Sequence, residues 1–166
     1  MNELQQAVRH AAARSEVAAA VEEVYRSVQS AVDLRRPVCV ISGRCCRFEE
    51  YGHRLFVTTL ELAAFVRRAI TAPGAARLAT LFDSWSGAGC PFQVAKLCGV
   101  HAIRPFGCRM FFCDASAGQW QQEQYELFHR DITRLHAELD VPYFYVEWRQ
   151  GLNEVRELLS AERAKS

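Results

Sequence analysis

CPFQVAKLCGVHAIRPFGCRMFFC, residues 90–113, holds Cys90, Cys98, Cys108 and Cys113, four of the seven cysteines in the chain. Pro91, Gly99, Pro105 and Gly107 interrupt it, and no helical or strand period of apolar residues runs through it. It therefore reads as irregular backbone rather than as one helix or strand. A shorter stretch, CVISGRCC at 39–46, carries Cys39, Cys45 and Cys46. All seven cysteines thus fall between 39 and 113, and the flanks have none. Cysteines buried as small hydrophobes account for a scattered thiol or two, not for a confined set. The odd count suits a complete disulfide framework poorly.

Outside this stretch the pattern is helical. Residues 3–34 read as one long amphipathic helix capped by Asn2, with Val17, Val21, Val24, Val28 and Val32 on one stripe. Pro37 stops it. Leu55-Phe56-Val57 is a short strand candidate. Thr58 and Glu61 make a capping box that opens a helix over 59–70. A shorter helix follows Pro73-Gly74, with Leu78, Leu81, Phe82 and Trp85 on one face. Ser116 and Gln119 form a second capping box, opening a helix to Leu139 striped by Tyr125, Phe128, Ile132, Leu135 and Leu139. A last helix is expected over 147–161, beyond Pro142. The fold class expected is mainly α. One domain over 1–166 has an N-terminal helix (3–34), a cysteine-rich irregular metal-binding core (39–113), at most a short strand pair, and C-terminal helices (117–161).

The chain has 166 residues, half of them apolar, enough for one core without a staple. Its net charge of +1, from 20 basic and 19 acidic residues, leaves no electrostatic footprint for nucleic acid or an anionic membrane. Charges at Glu3, Arg9, Arg14 and Glu16 exclude a secretory apolar segment there, and no run approaches the roughly 20 apolar residues of a membrane span. The expected location is cytoplasmic, where thiols stay reduced and clustered cysteines serve as metal ligands or catalytic groups.

All seven cysteines are candidate ligands. Thiolates suit zinc, iron–sulfur clusters and copper(I), and do not suit magnesium or calcium. The paired C-x2-C knuckles of a zinc ribbon and the C-x2-C-x2-C run of a bacterial ferredoxin are both missing. Arg104 and Arg109 flank Cys108 and are candidate cofactor-binding groups, because guanidiniums offset the negative charge of a thiolate centre. Cys45 and Cys46 are adjacent, so both serve one ion only if the backbone turns sharply, which Gly43 permits.

The segment from Cys90 to Cys113, with its Cys-Pro-Phe opening and Arg-Pro-x2-Cys-Arg-x3-Cys close, resembles the zinc- or iron-chelating cysteine-cluster family described as YkgJ-like. Cys39, Ser42 and Cys45-Cys46 stand where that family has C-x2-C-x2-C-C, and Thr58 to Glu61 matches its T-x-x-E helix start. The resemblance covers roughly 39–113. Two departures accompany it: Ser42 replaces a cysteine, and His101 stands where an aromatic residue is frequent. Cys108 and Cys113 lie in the most specific part of the match and lead the candidate ligands, and Cys39 trails them. His101 reads as packed or solvated rather than as a ligand, and so do His129 and His136. The resemblance implies metal chelation without a settled reaction. The first expectation is an iron–sulfur protein with one four-iron cluster in an electron-transfer, sensing or accessory role. The alternatives are a zinc-stabilised module that binds another protein, and a cluster-dependent redox or methyl-transfer enzyme.

Overall fold

The computed structural model describes residues 1–71 and 73–160. It is mainly α, with two small antiparallel strand pairs. The expected N-terminal helix is two helices: α1 (Glu3–Ala13) and α2 (Ser15–Arg35). Asn2 caps α1 by accepting from the Gln5 N–H. Arg14 breaks the run in extended conformation, and its guanidinium donates to the Leu139 carbonyl at 2.8 Å. No proline or glycine marks the break; its cause is a partner 125 residues away. The valine stripe is buried at Val17, Val21, Val24 and Val28. Arg36 closes α2 in the left-handed region, since the residue before a proline avoids the helical one, and Pro37 follows.

Next come α3 (Phe48–Tyr51), β1 (Phe56–Thr58), α4 (Thr59–Thr71) and α5 (Ala75–Asp83). Every residue of α4 from Thr59 to Val66 is buried, because α1, α2, α5 and a later helix all pack on it. The Thr58–Glu61 capping box forms in both directions, at 2.8 and 3.4 Å. The cysteine-rich stretch holds a hairpin, β2 (Gln93–Val94) and β3 (Leu97–Cys98), and a single helical turn, α6 (Phe106–Arg109).

Helix α7 (Gly118–Glu138) starts one residue later than the expected box would place it. Ser116 does not cap it. Instead the Asp114 carboxylate accepts from both the N–H and the hydroxyl of Ser116 and caps a short 3₁₀ turn ahead of the helix. At the other end Asp140 is left-handed, Asp140 N–H donates to Ala137 and Val141 N–H donates to His136, a Schellman closure. The chain then returns as β4 (Tyr145–Glu147), antiparallel to β1 with Val57 opposite Val146.

The last expected helix is also divided, into α8 (Trp148–Glu154), capped by the Glu147 carboxylate, and α9 (Arg156–Ser160). The break falls at the fully buried Val155; residue 161, its expected end, lies outside the described residues. One contiguous buried cluster runs from Leu4 to Val155 and includes Phe48, Phe92, Phe106, Met110 and Trp148. The irregular stretch therefore contributes large side chains to the core, each worth roughly 1.5–3 kcal/mol of burial. Among the described residues no helix is long and apolar enough to cross a membrane.

Candidate metal centre

The first cysteine loop leaves α2 exposed. Val38, Cys39, Val40 and Ile41 face solvent, and the Val38 N–H donates to Asp114. Gly43 then takes φ +71, and residues Arg44–Cys46 wind into a 3₁₀ turn closed by the Cys46 N–H on the Gly43 carbonyl. This is the sharp turn that adjacent cysteines need to serve one point. Only glycine fits at 43: a Cβ would sit 2.7 Å from the Lys96 carbonyl oxygen of the hairpin. The same contact joins the two cysteine segments, since Gln93 Nε2 donates to the Gly43 carbonyl and the Cys90 N–H donates to the Cys46 carbonyl at 2.8 Å.

The hairpin brings Cys90 back toward Cys98. Ala95 and Lys96 both have positive φ, as a two-residue turn between twisted strands requires, and Cys98 pairs with Gln93. The Gly99 N–H then donates to the Phe92 carbonyl. Folding back in this way brings together two cysteines that are separated along the chain.

Cys46 is buried at the hub of the result. Its thiol neighbours Cys45, Cys90 and Cys98; the one proton it can offer them stays on Cys46, which raises its own pKa and lowers those of the other three. Cys45 falls to about 6, through Cys46 first and Arg104 more weakly. Cys98 falls to about 7 through Cys46 first, then the Val100 N–H, and Arg104 more weakly. Cys90 is lowered by Cys46, with a smaller push from the Trp148 indole. Among the described residues no three His, Cys, Asp or Glu side chains converge on one ion-sized point. The arrangement is that of thiols gathered around Cys46 rather than of a closed ligand cage.

Cys108 stands beside this group: burial raises its pKa first, and the charges of Cys90, Cys98 and Cys45 raise it further. Cys113 and Cys39 stand apart. Cys113 Sγ lies 3.4 Å from the Ser42 hydroxyl, at the edge of the group. Cys39 is exposed.

The two arginines separate in the same way. Arg104 acts on Cys45, Cys98 and Cys108. Arg109 donates instead to the Arg104 and Ala102 carbonyls and lies 4.1 Å over the Tyr25 ring. It pins the 3₁₀ turn at His101–Ile103 and holds Arg104 in place through its backbone. His101 is exposed, and its imidazole makes no hydrogen bond among the described residues. His136 is buried with Nδ1 3.0 Å from the Val141 carbonyl, in the Schellman closure of α7, and His129 stacks on Tyr125.

Three further residues near the centre were not singled out for it in the sequence. Trp148 is fully buried; its indole N–H finds no partner of ordinary hydrogen-bond strength and favours the Cys90 thiolate. His53 sits under the first loop, Nε2 3.4 Å from the Cys45 carbonyl and its ring stacked on Phe111. Glu61, legible only as a capping residue, also accepts from the Phe106 N–H with its second oxygen at 3.0 Å, tying the start of α4 to the turn that carries Cys108. No protein family, curated protein or solved structure matches the chain.

Proposed function

We propose that this is a metal-binding protein whose centre is held by Cys45, Cys46, Cys90 and Cys98, with Cys108 beside them. The observation that carries the reading is the reach of one thiol, Cys46, to three other cysteines from both halves of the cysteine-rich stretch. Folding gathers soft donors around one thiol, and a soft or borderline metal is what such donors bind. The surroundings fit. Arg104 supplies a cation, and the buried, unsatisfied N–H of Trp148 is a donor that a metal-bound thiolate at Cys90 would occupy. Binding would exchange the proton on Cys46 for the metal, drawing the thiols into a cage.

On the family resemblance the centre is a four-iron cluster in an electron-transfer, sensing or accessory role, the chemistry of one-electron transfer. The alternative is a zinc-stabilised module, since zinc also takes four thiolates. Purification without oxygen, followed by metal analysis and a visible spectrum, decides between them. A brown protein containing iron and sulfide supports the cluster. A colourless one with a single zinc per chain supports the zinc module, and a chain without stoichiometric metal overturns both.

A further inference from the structure

A cavity of about 210 Å³ opens beside the cysteine group, with Cys45 and Cys108 in its lining. It is smaller than the roughly 300–1,000 Å³ of clefts that take drug-sized ligands, so its occupant is small. The lining also includes Arg54, Gln121, Phe111 and Tyr125. Arg54 is exposed and makes no ion pair or hydrogen bond among the described residues, although most of the other arginines in the chain are engaged. A guanidinium with five unused donors at the rim of a cavity is a carboxylate-binding group. Gln121 accepts from the Phe112 N–H at 3.0 Å, which fixes its amide and leaves the NH2 as a further donor. Phe111, held by stacking on His53 at 4.7 Å, and Tyr125, held against Phe106 at 4.9 Å, give the cavity rigid aromatic walls.

We propose that this cavity binds a small planar organic anion, its carboxylate on Arg54 and its body between the aromatic walls, next to the cysteine centre. The site goes beyond the metal reading and stands whichever metal is bound. It would make the centre one that meets a small molecule rather than one that only holds the fold.

Isothermal titration calorimetry of the full chain, purified without oxygen, with benzoate and with neutral benzamide tests it. Metal content measured on the same samples separates failure of the metal reading from failure of the cavity. Saturable binding of one benzoate per chain is expected, with benzamide and the Arg54→Gln variant each about tenfold weaker. Arg54→Lys should recover part of the loss, and Arg9→Gln should change nothing. A Cβ at Gly118, another lining residue, meets nothing within 4 Å, so Gly118→Leu can enter the cavity without disturbing the helix and should abolish binding with every charge in place. No saturable heat by roughly 10 mM benzoate overturns the proposal. Equal binding of benzamide overturns it too, and so does unchanged binding in Arg54→Gln or in Gly118→Leu.

Discussion

At the scale of single residues, Cys46 connects the cysteines that the structure brings together, and Cys39 and Cys113 lie outside its reach. Sequence reasoning puts Cys108 and Cys113 first because the family resemblance is most specific there; the centre proposed above puts Cys46 and Cys90 first. Metal content per chain across the seven Cys→Ser variants, purified without oxygen, is the measurement. Cys46→Ser and Cys90→Ser should lose at least about 90% of the metal, since a ten- to hundredfold drop in affinity is the usual cost even of a neighbouring group. Cys39→Ser and Cys113→Ser should keep most of it. If Cys113→Ser empties the centre while Cys46→Ser does not, the ligand set proposed above is wrong. The arginines teach the same lesson. Arg104 and Arg109 look alike in sequence, and only packing against Tyr25 and two carbonyls takes Arg109 away from the sulfurs.

At the scale of elements, Glu61 links the entry of α4 to the entry of α6. Burial raises its carboxyl to about 7, against the two backbone N–H donors that favour the charged form. A carboxyl with a folded pKa above its unfolded value of 4.5 binds protons more tightly in the folded state. Its contribution is therefore fully present below about 4.5 and lost as pH rises through about 7. The shift corresponds to about 3 kcal/mol. Urea unfolding between pH 5 and pH 8 should show stability falling more steeply with rising pH in the wild type than in Glu61→Gln, whose amide does not titrate. The variant should be less stable by roughly 1–3 kcal/mol at low pH, because an amide N–H would face one of the two backbone donors. Parallel pH profiles would show that Glu61 does not titrate there. The capping box was legible because its partners are three residues apart; the bond to Phe106, 45 residues on, was not.

At the scale of the molecule, the proposed centre would join two segments that are otherwise linked by single contacts such as Gly43–Gln93, Cys46–Cys90 and Ser42–Cys113. Stripping the metal from the loaded protein should lower its melting temperature by about 10 °C or more, as expected when several kilocalories of binding are lost from a chain of this size. Helical circular dichroism should persist below the transition, because α1, α2 and α4 pack on one another away from the cysteines. An unchanged midpoint in a metal-free sample would remove the idea that the metal holds the halves together. The sequence by itself determined the features whose partners lie within a turn of each other. These are the Asn2 cap, the valine stripe, the stop at Pro37, the Thr58–Glu61 box and the mainly helical class. Tertiary structure alone decided the break at Arg14, the transfer of the cap from Ser116 to Asp114, the pairing of β1 with β4, and which thiols meet. Each of these depends on a partner far along the chain, and a periodic pattern records which face of an element is apolar but not what will pack against it.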